Sequence, residues 1–391
     1  MIHINENCQA FQLLSMLAVV GEYPLRQLHL LGNPRMYRDT LRRMCQQQEY
    51  INDSTKEKVS TKALTITGKG FQRSVRLLQG AEPLLKWLGA SEYYGEAYGQ
   101  YNFSGGEKHR NRNFKIAETT AFCKSAGYEY RPYRMPMLYL PQKEFSWGDE
   151  PNPTKRIPSY PCIYPIRILK GGKDEGQKKT VFTRLTGVLF VEEQVYAMYN
   201  LGDEMQKLWE NSEIKMRHTL SELNLNNGGT HSAHSAIFFA ENGMDAIKSL
   251  RYLYNKRKNK HKDYSGTEFF PFVYFIPLSE IGIRLLRFFA VDDWTDILHN
   301  SLFYGWNCHF DALCYRENDG EYYYSFLDSN IARLITFKRK ALKHKLSFSI
   351  YCFPHQVSFL QEFFGEKVNL IQISLESVEE LLEVDSCFDK Q

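Results

Sequence analysis

Two stretches constrain this chain more than any other feature: "FVYFIPLSEIGIRLL" (272–286) and "VNLIQISLESVEELL" (368–382) match by residue type. Each is a short apolar run followed by a Ser and an amphipathic helical pattern. Apolar runs of this length without strict alternation suit strands buried on both faces, in sheets covered by helices. The preceding segments repeat as well. "FTRLTGVLF", "QVYAMYN", "DEMQKLWENSEIKMRHTLSEL", "SAIFFAEN" and "MDAIKSLRYLYN" read as hairpin, helix, strand, helix. "CHFDALCYR", "EYYYSFLDSN", "IARLITFKRKAL", "LSFSIYCFP" and "HQVSFLQEFFG" read in the same order. The spacing predicts an α/β region built from one duplicated unit, over 107–290 and 291–391.

Residues 1–80 follow a different order. A helix is expected over 7–20, with Phe11, Leu14, Leu17 and Ala18 on one face and Gly21 as its stop. "PLRQLHLLG" reads as a second helix. A third opens with Asn33 as N-cap and Pro34 at its first position. Its inward stripe is Tyr37, Leu41 and Met44, and Arg35, Arg38 and Arg42 lie on another face. A strand "EYI", a polar loop "NDSTKEKVST", a strand "KALTITGKG" and a helix "FQRSVRLLQ" complete the unit. Three helices, a strand, a basic loop and a strand are the order of a winged helix-turn-helix, with the third helix in the recognition slot. Residues 80–106, rich in Gly and Tyr, read as a linker. A further helix is expected over 113–126, and a long Pro-rich connection over 141–180.

Charge bears on the partner. The whole chain carries a net charge of +4. Residues 34–76 hold ten Lys or Arg against four Asp or Glu, a surplus of six, so the rest is slightly acidic. Phosphate neutralisation supplies much of the affinity for duplex DNA, and this clustering suits it. Arg35, Arg38, Arg42 and Arg43 are therefore expected on the groove and backbone, with Lys56, Lys58 and Lys62 on the wing. Basic runs at 108–115, 255–262 and 338–345 offer further phosphate contacts. The alternative is a solvated helix face used for protein contacts.

Eight cysteines without a CxxC pair suit reduced thiols in a cytoplasmic protein. The N-terminus has no basic leader, and no apolar run reaches the length of a spanning helix, so no membrane partner is expected.

Few residues suggest chemistry. Asp311 and Asp328 lie on the two strands of the second expected hairpin. Two carboxylates there, with a Lys, are a layout that holds Mg²⁺ in many nucleases. Here Asn330 occupies the Lys slot, and Lys338 or Lys340 could replace it only from the next helix. The first unit has Gly187 and Tyr199–Asn200 at the matching positions, so its carboxylates are gone. Asp311 and Asp328 otherwise read as turn and strand-end caps. Glu118 is a possible remnant of such a core or an exposed helix residue. His231 and His234 have neither helical metal spacing nor a carboxylate between them. Cys352, near His355, lies in an apolar strand and reads as a packed thiol. "GKG" at 68–70 lacks the phosphate-loop spacing and reads as a turn.

The segments "LSMLAVVGEYPLRQL", "YRDTLRRMCQQQEYI" and "LTITGKG" are similar to winged helices of plasmid and conjugative-element proteins. Together with "KHRNRNFKIAETTAFCKSAG", "TRLTGVLF", "VYAMYN" and "HFDALCYRENDGEYYYSFLDSN", the chain resembles the replication-relaxation family of Gram-positive mobile elements. The resemblance covers most of the chain as a pattern of elements and short degenerate motifs. It implies a double-stranded DNA partner, a role in element replication or transfer beside other proteins of the element, and a restriction-endonuclease-like C-terminal region. The missing Lys and the lost acids depart from that pattern. The expected protein therefore binds DNA with degenerate nuclease-like units and no cofactor. The alternatives are a Mg²⁺-dependent nuclease using Asp311 and Asp328, or a protein-binding adaptor.

Overall fold

The computed structural model describes residues 1–99, 101, 106–138, 156–166, 184–192, 194–203, 206, 208, 210–229, 235–255, 270–309, 314–316 and 321–388. The protein is mixed α/β and divides into two compact units. The first is Met1–Thr180 with Leu185–Glu192 and Leu225–Gly229; the second is Val181–Arg184, Glu193–Asn224 and Thr230–Gln391.

The first unit opens with β1 (Ile2–Ile4), α1 (Gln9–Val20), β2 (Glu22–Pro24), a 3-10 helix (Leu25–Leu30) and α2 (Pro34–Met44). Strands β3 (Gln48–Asn52), β4 (Lys58–Thr61), β5 (Leu64–Thr67) and β6 (Ser74–Leu77) follow. Next come α3 (Glu82–Trp87), α4 (Ser91–Tyr98), α5 (Glu107–Ser125), β7 (Cys162–Pro165) and β8 (Leu185–Val191). Two small sheets form, in the orders β1-β3-β4 and β2-β6-β5. Helix α1 is apolar on nearly all sides and fills the core, with Leu13, Leu14, Met16 and Leu17 fully buried. Strands β7 and β8 pair antiparallel, and Thr119 of α5 donates to the Thr186 hydroxyl at 3.0 Å.

The second unit holds β9 (Gln194–Gly202), α6 (Glu210–Asn226), β10 (Ser235–Ala240), α7 (Gly243–Asn255), β11 (Phe272–Pro277), α8 (Glu280–Phe288) and α9 (Trp294–Phe303). Then follow β12 (Asn307–His309), β13 (Cys314–Arg316), β14 (Tyr322–Ser325), α10 (Ile331–His344), β15 (Phe348–Cys352), α11 (Val357–Phe364), β16 (Asn369–Gln372) and α12 (Leu375–Leu381). Strands β9, β10 and β11 run parallel, in that order. Strands β12, β13 and β14 pair antiparallel, and β14, β15 and β16 run parallel. Ala236 to Ala240 are all buried, as the unbroken apolar run requires.

Along the chain, the described elements recur. The order α5-β7-β8-β9-α6-β10-α7-β11-α8 is followed by α9-β12-β13-β14-α10-β15-α11-β16-α12.

Five local expectations are corrected. "FQRSVRLLQ" is no helix: Val75 and Leu77 are buried in β6, which pairs with both β2 and β5. Cross-strand partners on both sides decide a run too short to identify its own period. The segment 52–61 contains strand β4, paired with β3. Residues 80–106 carry α3 and α4, with Leu84, Leu85 and Tyr94 buried. The second N-terminal helix is a 3-10 segment, and α5 starts at Glu107, which takes the basic run into the helix.

Candidate nucleic-acid interface

Helix α2 is capped as its sequence demands. Asn33 Oδ1 accepts from the backbone N–H groups of Arg35 (3.0 Å) and Met36 (3.5 Å), and Pro34 opens the first turn. Tyr37, Leu41 and Met44 are buried, which leaves Arg35, Arg38, Arg42 and Arg43 exposed.

Two of these arginines face an open groove of about 740 Å³. Arg38 and Arg42 of α2 form one wall. Leu25 and Arg26 come from the 3-10 helix, Ile66 from β5, and Gly70, Phe71 and Arg73 from the β5–β6 connection. Four guanidinium groups converge on it, and no acidic residue lines it. Among the described residues the ion pair at the groove is Arg42 to Asp39 (3.2 Å), solvent-exposed and so of small energetic weight. The other three arginines of the lining are held by no ion pair among the described residues, so the groove carries uncompensated positive charge.

The β5–β6 connection is a firm platform. Gly68 and Gly70 adopt positive φ of 80° and 54°. A Cβ at Gly68 would sit 2.1 Å from the Gln72 carbonyl oxygen, so only glycine fits there. Gln72 N–H donates to the Lys69 carbonyl at 3.0 Å, and its side-chain amide donates to Asn111 Oδ1 on α5 at 2.9 Å. Leu25 N–H donates to the Arg73 carbonyl at 3.0 Å, which fixes the loop exit to the 3-10 helix. Below it, the fully buried Glu22 accepts from Ser74 and from Arg76 (3.0 Å), and Arg110 of α5 lies 3.5 Å away.

No family model, curated protein or solved structure matches the chain.

The remaining basic positions lie outside the groove lining. Arg43 donates to the Met1 carbonyl, and Arg35 is exposed on α2. Lys56 sits in the β3–β4 turn with φ of 61°, Lys58 pairs with Glu49 at 3.6 Å, and Lys62 joins β4 to β5. Arg26, Arg73 and Phe71 join Arg38 and Arg42 from elements distant in sequence. The visible signal for Phe71 and Arg73 is the Gly-Lys-Gly turn that precedes them; nothing in the sequence singles out Arg26.

The second unit shows where Asp328 sits. Its carboxylate is 2% exposed and engaged on both oxygens. Arg333 at the start of α10 approaches Oδ2 at 2.7 Å, and Asn330 N–H donates to Oδ1 at 3.1 Å. Arg333 also donates to His299 Nε2 at 2.8 Å and lies over the Tyr324 ring. Burial opposes the Arg333 charge, but Asp328, Tyr324 and Tyr274 outweigh it and raise its pKa. Burial, and then Arg333, lower the His299 pKa to about 4, so that imidazole is neutral and accepts the bond. The same turn is a joint of the unit. Phe275 N–H donates to the Ser329 carbonyl (2.9 Å), Val273 N–H to Asn330 Oδ1 (3.4 Å), and the Gln356 side chain to Ser329 Oγ (2.9 Å).

Mg²⁺ does not fit Asp328 as it stands, because both oxygens are committed to donors. Among the described residues no cluster of three His, Cys, Asp or Glu could hold a metal. Asp311, His231 and His234, and most of the basic run at 255–262, lie outside the described residues. Glu118 belongs to the first unit and accepts from the Gln27 amide at 2.6 Å. Cys352 is buried, and burial raises its pKa to about 11, so it stays a thiol; all eight cysteines are free. No described helix is long and apolar enough to cross a membrane.

Proposed function

We propose that this protein binds double-stranded DNA of a mobile genetic element and acts in its replication, transfer or their regulation. In this reading α1, the 3-10 helix and α2 are the three helices of a winged helix, and β2-β6-β5 is its sheet. The recognition helix is α2, and the wing is the β5–β6 connection (68–73) instead of the segment bearing Lys56, Lys58 and Lys62. The observation that carries the proposal is the groove between them, with Arg38 and Arg42 on one wall and Arg26 and Arg73 on the others. Converging guanidinium groups beside an exposed helix face suit phosphate oxygens and guanine edges. The described order α9-β12-β13-β14-α10-β15 suits a restriction-endonuclease-like unit. The commitment of Asp328 to Arg333 favours a unit that no longer cuts. The element association rests on the sequence resemblance alone.

The test is fluorescence anisotropy of labelled duplexes from the DNA flanking the gene and of scrambled controls, across a salt series. Arg38→Ala/Arg42→Ala is expected to weaken binding about 10- to 100-fold and to flatten the salt slope by about two. Equal binding by wild type and variant to every duplex would sink the recognition-helix assignment and favour a protein-binding adaptor.

A further inference from the structure

Phe71 is 83% exposed, at the rim of the arginine-lined groove. Phe71 is one of the most exposed large apolar side chains among the described residues, and it stands beside four arginines. The turn that carries it is not loose. The Gln72 N–H to Lys69 carbonyl bond, the Gln72–Asn111 bond and the Leu25–Arg73 bond restrain it. Lys69 and Arg73 flank the ring in sequence, and both are exposed. The chain thus presents a rigid apolar tip between two cations beside a cationic groove.

We propose that Phe71 is a wedge that enters the DNA minor groove next to the major-groove site of α2 and partly unstacks one base step. The inference rests on the DNA-binding reading above. Apolar side chains on rigid elements kink duplexes in this way, most readily at flexible pyrimidine–purine steps such as TA. Lys69 and Arg73 hold the phosphates on either side of the step, where a narrow groove concentrates negative potential. Phe71 thereby adds selection for deformable DNA at a position where no side chain reads a base edge. A flexible loop would lose much of this selectivity to ordering entropy; the restrained turn has already met that cost.

The experiment uses the full chain and duplexes of about two helical turns, with 2-aminopurine replacing the adenine of a central TA step, at about 50 mM salt. A matched duplex lacks the flexible step. Wild type is expected to bind the TA duplex more tightly and to raise the 2-aminopurine fluorescence as the base unstacks. Phe71→Ala, a surface change that leaves folding intact, is expected to lose the rise and about 5- to 100-fold of the affinity for the TA duplex. Its salt slope stays that of wild type, because no cation is removed. Phe71→Trp is expected to keep the rise. Equal affinity and equal fluorescence for Phe71→Ala would overturn the wedge. So would binding by wild type without any rise. Arg38→Ala/Arg42→Ala separates the two readings: binding lost with those arginines but indifferent to Phe71 removes the wedge alone, and no duplex binding by wild type removes both.

Discussion

Asp328→Ala is expected to destabilise the second unit by about 3–5 kcal/mol, the usual effect of stranding one partner of a buried ion pair. The guanidinium of Arg333 is 17% exposed and has Asp328 as its anion. His299 cannot compensate, since its neutral ring offers a lone pair and no charge. The loss also reaches β11, because the Ser329–Asn330 turn that Asp328 holds accepts from Phe275 N–H through the Ser329 carbonyl and from Val273 N–H through Asn330 Oδ1. A urea titration followed by tryptophan fluorescence reads the effect, Trp294 being buried against Tyr274, Phe288 and Phe289. The double variant Asp328→Leu/Arg333→Met removes both charges and is expected to recover most of the loss, since apolar replacements of similar volume often match a buried pair. A metal-ligating Asp328 predicts the opposite pattern: little change in stability and loss of divalent-metal-dependent cleavage. An unchanged urea midpoint in Asp328→Ala sinks the structural role assigned to this residue.

How much of this was legible depends on where the determining contacts lie. Helix α2 could be read residue by residue. Asn33, Pro34, Tyr37, Leu41 and Met44 act within about three turns of one another, and each takes the role its type prescribes. Strands β10 and β11 were equally plain, because burial on both faces demands an unbroken apolar run. Strand β6 was not. "SVRLL" suits a helix or a strand, and its identity comes from β2 and β5, about fifty and ten residues upstream. The groove was half legible for the same reason. Arg38 and Arg42 share a helix face, but Arg26, Phe71 and Arg73 reach them only through tertiary pairing. The Asp328–Arg333 pair was missed although the two residues are near in sequence. A nuclease layout puts a Lys at Lys338 or Lys340, whereas the partner of Asp328 is Arg333 in the first turn of α10, three residues past the Asn330 cap.

Acidification between pH 6.5 and pH 4 is expected to remove several kcal/mol of stability from the second unit, through two histidines. His299 and His355 have folded pKa values lowered to about 4, His299 by burial and Arg333 and His355 by burial. Unfolded imidazoles titrate near 6.5. In that window the unfolded chain binds protons that the folded chain refuses, so stability falls as pH falls. The full contribution is present above about pH 6.5 and is gone below about pH 4. A shift of this size is roughly 3 kcal/mol for His299, and less for the half-buried His355, which solvent screens. Protonation of His299 has a definite structural consequence, because its Nε2 then loses the lone pair that accepts from Arg333 and presents a second cation to it. Asp328 and Asp296 offset part of that repulsion. A carboxylate of this unit with lowered pKa, such as Glu376, loses its contribution only below about pH 4.5, which leaves pH 6 to 5 to the histidines. Urea midpoints at half-unit pH steps measure the slope. His299→Gln is expected to remove more than half of the fall over pH 6 to 5, and His299→Gln/His355→Gln to leave it nearly flat. If the double variant retains the wild-type slope, other groups carry the acid sensitivity and the neutral-histidine account of this unit fails.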